Sequence, residues 1–149
     1  MGVDTKMFIA TKKENILEVM PKVIKAINEW QRFELQTASE KAGFDNILQF
    51  LFSSEENKDN WSNGISNINT YDFGSFNINF RFNGESRSLF ITHTCSNDYS
   101  DIYDGEKIIF SLSSWGESEE IMMFIAEAIK EFGDIYYTHN DCDNDFKQI

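Results

Sequence analysis

The side chains best suited to metal chemistry are the two histidines and two cysteines of the chain. They are His93, Cys95, His139 and Cys142. Imidazole and thiolate groups bind zinc, but the spacings here, H-x-C and H-x-x-C, lack the tight cysteine pairs that structural zinc sites usually show. We therefore expect Cys95 and Cys142 to be reduced thiols with ordinary packing roles. A zinc site or a disulfide remains an alternative.

A second metal-like pattern lies further along the chain. Asp141, Asp143 and Asp145 have the spacing of the first three ligands of an EF-hand loop. Phe146 stands where that loop needs glycine, and no glutamate follows it. We therefore predict an acidic tail over residues 140–149, with no metal and no cofactor. Weak binding of a divalent metal or small ligand near His139 and the three aspartates is the alternative.

Catalytic motifs are missing from the sequence. The glycines at positions 74, 84, 105 and 116 are spaced as turn residues and do not form a phosphate-binding G-x-G-x-x-G, and no G-x-S-x-G is present. A nucleophile pair of Cys95 or Cys142 with His139 is the alternative that sequence spacing leaves open. We predict that the protein is not an enzyme.

The acidic residues are concentrated in one part of the chain. Residues 1–50 carry seven basic and seven acidic side chains, whereas residues 51–149 carry six and eighteen, which accounts for the net charge of −12. A surface of one sign attracts partners of the opposite sign and repels nucleic acid and anionic membranes. We therefore expect a basic protein partner, with no direct binding of nucleic acid or membrane.

Two groups of acidic residues are candidates for that contact. One is a run of carboxylates and tyrosines over residues 98–106, and the other lies on a predicted helix over residues 117–132. On this helix Glu127 and Glu131 are like charges four residues apart, which costs about a few tenths of a kcal/mol. A role in binding would explain the arrangement, and plain solubilising charge is the alternative. The predicted partner-binding residues are Asp98, Tyr99, Asp101, Tyr103, Asp104, Glu106, Glu120, Glu127 and Glu131.

The elements that position these residues follow from hydrophobic periodicity. Period-two patterns predict strands over residues 5–10, 76–82, 88–94, 99–103, 107–113 and 134–138. Asn83-Gly84 and Asp104-Gly105 have the composition of two-residue hairpin turns, so the middle strands are expected to form a four-stranded meander. Residues 53–70 are polar and predict a long loop in which Trp61 stands alone.

Helical spacing predicts a first helix that begins after Thr11-Lys12-Lys13-Glu14, a capping-box pattern. Pro21 lies inside it, so we expect a kink or a break. The helical pattern continues to about residue 42, where Gly43 is expected to stop it. Gly133 is expected to end the second helix with a positive φ.

These elements predict one α+β domain over residues 1–149. Its sheet would be mainly antiparallel, with about five to six strands in the order β-α-ββββ-α-β and two main helices on one face. The sequence contains no apolar run long enough to span a membrane and no signal-peptide pattern, so we expect a cytoplasmic protein.

The chain begins with M-G-V-D-T-K-M-F at residues 1–8, and it carries F-G-D at residues 132–134 and N-D-C-D at residues 140–143. Together these motifs resemble those of small acidic uncharacterised proteins of bacteriophages and prophages. Asp134 departs from the second glycine of that pattern. The resemblance implies a phage accessory protein, many of which bind and neutralise host factors, and it implies no catalytic residues.

We therefore expect a non-catalytic acidic binding protein, encoded by a phage or mobile element, that inhibits a host or toxin protein by occupying a basic, nucleic-acid-binding site. One alternative is a binder or sponge for a small nucleotide-like molecule, with Trp61, Tyr71, Phe73 and Trp115 as ligand contacts. The other is an immunity protein for a cognate toxin, which would use the same acidic surface.

Overall fold

The computed structural model describes residues 3–29, 37–62, 75–82, 84–94, 99, 101–114, 118–138 and 146–149. Within these residues one antiparallel sheet is covered by four helices, which confirms the predicted α+β class. The strands are β1 (Val3–Thr11), β2 (Ser75–Phe82), β3 (Glu85–Thr94), β4 (Lys107–Ser114), β5 (Gly133–Thr138) and β6 (Lys147–Gln148). The helices are α1 (Ile16–Asn28), α2 (Ala38–Phe52), α3 (Glu55–Ser62) and α4 (Ser118–Ile129).

The strand order is β2-β3-β4-β1-β5-β6, so the first strand of the chain lies in the interior of the sheet. Met7 of β1 pairs with Phe110 of β4, and Ile9 pairs with Ile135 of β5. Because successive strand residues point to opposite faces, Met7 and Ile9 share one face, and Phe8, between them, lies on the other. The helices pack on the first face, which we call the core face; the opposite face is called the outer face.

The core face is closed by amphipathic helices. Six residues of α1 at helical spacing are buried, and α4 buries a matching stripe. These residues form a single cluster with Phe76, Phe110 and the other apolar side chains of the core face. Burial of a large apolar side chain stabilises a fold by about 1.5–3 kcal/mol, so this cluster holds the helices on the sheet.

The start of α1 differs from the prediction. Thr11 is the last residue of β1, and its Oγ1 donates a hydrogen bond to the Phe132 carbonyl at 2.9 Å, so the predicted capping box does not form there. A short 3-10 turn over Lys13–Asn15 leads into the helix. The helix continues through Pro21 without the predicted break, because its buried face packs along both sides of the proline.

The predicted end of the first helical pattern, at about residue 42, was also wrong. The α1 helix ends at Asn28, and residues 30–36 lie outside the described part of the chain. The α2 helix begins after Thr37, whose hydroxyl accepts from the Glu40 N–H at 3.2 Å while the Glu40 carboxylate accepts from the Thr37 N–H at 2.8 Å. The capping box of the chain is therefore here, and Gly43 lies within α2 without ending it.

The segment predicted as a long polar loop is partly helical. The α3 helix occupies Glu55–Ser62, and the Ser54 hydroxyl accepts from the Asn57 N–H at its start at 3.1 Å. Residues 63–70 of the predicted loop lie outside the described residues. Similarly, residues 146–149 of the predicted acidic tail include β6, which pairs with β5, while residues 140–145 are not described.

Two glycines have different roles. Gly84 has a φ of 83° between the paired residues Phe82 and Glu85, which confirms the first predicted hairpin. Gly133 has an extended backbone, so the predicted positive φ was wrong. A Cβ at Gly133 would lie 2.1 Å from the Ala10 carbonyl oxygen, and glycine is required because β1 and β5 approach closely.

The helix that carries the acidic residues is close to its prediction. It spans Ser118–Ile129, and a 3-10 turn over Lys130–Phe132 connects it to β5. None of the described helices is long and apolar enough to cross a bilayer.

Candidate functional site

The outer face of the sheet has an aromatic cluster at its centre. Phe8 is 0% exposed although no helix covers it. Its ring stacks with Tyr136 of the neighbouring strand at 5.0 Å between centroids, with Tyr99 at 5.6 Å, and it contacts Phe146 at 5.3 Å. The Tyr99 and Phe146 rings meet each other edge to face at 4.7 Å. We call Phe8, Tyr99, Tyr136 and Phe146 the aromatic cluster.

Tyr99 belongs to the segment of residues 99–106, which we call the acidic loop; Ser100 within it is not described. A strand was predicted over residues 99–103, but Tyr99 has a φ of 57° and its carbonyl accepts from the N–H groups of Ile102 and Tyr103, both at 3.0 Å. The second predicted hairpin is therefore absent, and the described part of the meander has three strands. The tyrosine that suggested a strand instead packs down onto Phe8.

The other end of the acidic loop is held by Lys107. This lysine is 0% exposed, its Nζ donates to the Gly105 carbonyl at 3.0 Å, and it lies 5.9 Å from the centroid of the Tyr103 ring. A Cβ at Gly105 would lie 2.8 Å from the Tyr103 ring, so the glycine allows that ring to lie against the backbone. The loop is thus fixed at both ends by contacts that a short peptide would not make.

Two of the loop carboxylates are exposed to solvent, and a third lies against a buried histidine. Asp101 and Asp104 are exposed, as is the tyrosine between them, Tyr103. Glu106 differs, since its carboxylate lies 3.8 Å from Nε2 of His93 and is only partly exposed. The outward-facing acidic residues of the described loop are therefore Asp101 and Asp104.

His93 connects the loop to the core. Its side chain is buried, and its Nδ1 is 2.5 Å from the Trp61 carbonyl oxygen. The Trp61 indole is 1% exposed and packs edge to face on His93 and on Phe76. Sequence reasoning missed the His93–Glu106 contact. Thr94 pairs with Lys107 at the end of β3 and β4 that residues 95–106 connect, and this pairing brings His93 and Glu106, the residues before Thr94 and Lys107, close together.

Trp61 was predicted to contact a small ligand, and the structure places it in the core with protein side chains against its ring. The other predicted ligand contacts, Tyr71, Phe73 and Trp115, lie outside the described residues. So do Asp98, Cys95, Cys142, His139, Asp141, Asp143 and Asp145. Within the described segments, no three His, Cys, Asp or Glu side chains are close enough together to hold a metal ion.

The acidic residues of α4 do not join the acidic loop. This helix packs on the core face, whereas Tyr99 anchors the loop on Phe8 of the outer face. Glu106 is the loop residue whose carboxylate approaches His93 on the core side. The glutamates at the end of the helix also have lysine neighbours. Glu127 pairs with Lys130 at 2.6 Å, and Glu131, in the following 3-10 turn, pairs with Lys22 at 3.2 Å. Their like-charge repulsion is offset locally, which weakens the sequence argument that binding explains them.

Beside the acidic loop, the outer face of β2, β3 and β4 carries polar side chains and an exposed phenyl ring. Phe90 of β3 pairs with Asn77 on one side and Ser111 on the other, and it is 47% exposed. The neighbouring Asn79 accepts a hydrogen bond from the Ser88 hydroxyl at 2.7 Å. The exposed Phe90 ring between Asn77 and Ser111 is a feature that sequence reasoning did not identify. The available signal was that Phe90 is apolar at a position of β3 where the alternation of buried and exposed residues predicts a polar side chain.

The combined arrangement is an anchored loop with two exposed carboxylates, Asp101 and Asp104, beside a sheet face on which the Phe90 ring is exposed. Comparisons of the chain with protein-family models, with curated proteins and with solved structures find no match.

Proposed function

We propose that the protein is a non-catalytic binding module whose acidic loop occupies a basic site on a partner protein. The observation that carries the proposal is the anchoring of this loop: Tyr99 is stacked on Phe8 while Asp101 and Asp104 face solvent. A loop held in one conformation loses little conformational entropy on binding, so its charges contribute more of their interaction energy to affinity.

The net charge of −12 favours a basic partner and disfavours a nucleic acid. A site that normally holds nucleic-acid phosphates fits this surface, because its cationic groups are already arranged to meet paired anions. Phe90 adds an apolar contact on the same sheet face. The partner is a host protein or a cognate toxin, in keeping with the phage or mobile-element origin that the sequence predicts.

The test is capture of partners from lysate of the host cell, with two variants matched in charge. Asp101→Asn/Asp104→Asn removes two carboxylates from the acidic loop. Asp45→Asn/Glu56→Gln removes two exposed carboxylates from α2 and α3. We expect the first variant to lose a basic partner that the wild type and the second variant both retain.

The same partner should then bind with an association rate that falls steeply as salt is raised, since the Debye length shortens from about 10 Å at 0.1 M to about 3 Å at 1 M. Nucleic acid should displace the protein from its partner. Equal capture by both variants, or an association rate that does not change with salt, would count against the proposal.

A further inference from the structure

The second surface of interest is an open groove of about 580 Å³ along α1, on the side of the molecule away from the outer sheet face. Its apolar lining comes from Leu17 and Pro21 of α1 and from Phe52 at the end of α2, and Lys58 of α3 also lines it. Phe52 is 43% exposed, and it is the only exposed large apolar side chain in the described helices. The groove is thus apolar along its middle and open to a macromolecular surface.

Charges are ordered along this groove. Glu14, in the 3-10 turn before α1, and Glu18, in the first turn of α1, line it at one end, and Lys22 and Lys25 line it at the other. The charged and apolar residues that α1 contributes recur three or four positions apart, so they lie on one helix face, and Glu14 lies just before its start. The groove is therefore acidic at one end, apolar in the middle and basic at the other.

This order is self-complementary. Glu14 and Lys25 lie at equal distances in sequence from the midpoint of the strip, between Val19 and Met20, and the distances of Glu18 and Lys22 from it differ by one residue. A two-fold rotation about that midpoint sets two α1 helices antiparallel and brings the acidic end of each onto the basic end of the other. Isologous interfaces of this kind are the commonest way in which identical chains associate.

We propose that a second copy of this chain binds in the groove, with the two α1 helices antiparallel and Glu14 of each copy facing Lys25 of the other. Phe52 of each copy covers the apolar middle of the interface. A small anion is a poorer occupant, because Glu14 and Glu18 repel it, and so does the net charge of the chain.

The charge distribution of the whole chain permits this association. Residues 1–50, which include α1, carry equal numbers of basic and acidic side chains, so the interface joins the neutral parts of the two copies. Glu14 and Lys25 have no ion-pair partner within the described residues, and both are exposed and available. The acidic loops stay accessible on the outer faces, and dimerisation does not depend on what they bind.

Charge reversal tests the pairing directly. In analytical ultracentrifugation we expect a dimeric wild type, and we expect Glu14→Lys and Lys25→Glu each to weaken the dimer about tenfold, since each replaces two attractive pairs with two repulsive ones. The double variant Glu14→Lys/Lys25→Glu should recover the wild-type dimer. An equimolar mixture of the two single variants should form a heterodimer, because one copy then supplies only lysines and the other only glutamates.

Two controls complete the experiment. Asp45→Lys reverses an exposed charge on α2 outside the groove and should leave the dimer unchanged. Phe52→Ser should dissociate the dimer without unfolding the chain, since this residue is 43% exposed in one copy and lies at the end of α2. A wild type that sediments as a monomer at all concentrations, or single variants that stay folded by circular dichroism but fail to associate when mixed, would overturn the proposal.

Discussion

Phe8 and Ile9 are neighbours in β1, both are 0% exposed, and they are buried by different means. Ile9 lies on the core face beneath helices whose apolar stripes repeat at helical spacing. Phe8 lies on the outer face beneath single aromatic rings from separate segments of the chain: Tyr99, Tyr136 and Phe146. The core face thus has a periodic cover, and the outer face has a cover of a few isolated contacts.

The difference assigns separate roles to the two faces. A cover made of many helix residues is stable as a unit, whereas a cover of three rings can be lost locally while the domain stays folded. The acidic loop belongs to the second kind, so its order depends on the aromatic cluster. Surfaces that bind partners are commonly loops carried on a more stable scaffold.

The largest effect is expected from truncating one large ring on either face. Phe8→Ala and Phe110→Ala should each lower the free energy of unfolding by about 3–5 kcal/mol, because both rings are fully buried. Only Phe8→Ala should release the acidic loop, which amide exchange at Ile102 and Tyr103 would measure, since both N–H groups bond to the Tyr99 carbonyl. Equal protection of these amides in both variants would remove the distinction between the faces.

The second-largest loss of stability is expected from Gly133→Ala, a substitution that disturbs both faces of the sheet. Gly133→Ala places a Cβ 2.1 Å from the Ala10 carbonyl, and backbone must move to accommodate it. Because the β1–β5 pairing aligns Ile9 with Ile135 and Phe8 with Tyr136, we expect a loss of about 3 kcal/mol together with faster exchange in the acidic loop. Denaturant unfolding measures the first effect. If Gly133→Ala were as stable as the wild type, β1 and β5 would be able to move apart locally at little cost, and the close approach at Gly133 would not limit stability.

Phe146→Ala acts on the outer face alone. It removes the ring that contacts both Phe8 and Tyr99, and we expect a loss of about 1–2 kcal/mol from apolar burial and ring contacts. Amide exchange at Ile102 should accelerate by more than the loss of global stability explains. Amide exchange in α4 should change only as much as the global stability does. Ile149→Ala is a useful control from the same segment, since that side chain is exposed.

The smallest effect is expected on the helix side. Thr37→Ala removes the hydroxyl that accepts from the Glu40 N–H, which should cost about 1 kcal/mol. The acidic loop should be unaffected in exchange and in partner binding, because Thr37 lies at the start of α2. Thr37→Ser keeps the cap and serves as the matched control; if both variants lose equal stability, the hydroxyl is not the cause.

Local sequence patterns predicted the fold where a residue interacts with its neighbours in the chain. The strands at residues 76–82 and 107–113 and the helix at residues 117–132 were predicted close to their positions. The capping box was assigned to the wrong threonine. Thr11 and Thr37 both begin an S/T-x-x-E pattern, but the Thr11 hydroxyl bonds to Phe132, more than a hundred residues away. That contact is invisible in a local pattern.

The candidate site was predictable only in part, for the same reason. The exposure of Asp101 and Asp104 could be expected from their chemistry. The burial of Tyr99 could not, because it depends on Phe8 being on the outer face and on Phe146 returning to it. Equally, the separation of the loop from Glu127 depends on which side of the sheet α4 packs, and long-range pairing decides that.

The interior position of β1 also affects how the chain is made. Val3–Thr11 is translated before both of its pairing partners, Lys107–Ser114 and Gly133–Thr138. Until they emerge from the ribosome, the apolar run Met7-Phe8-Ile9 has an unpaired edge on each side, a state open to misassociation. Pairing across such long sequence separations is slow, so we expect this strand to stay exposed until Gly133–Thr138 has been synthesised.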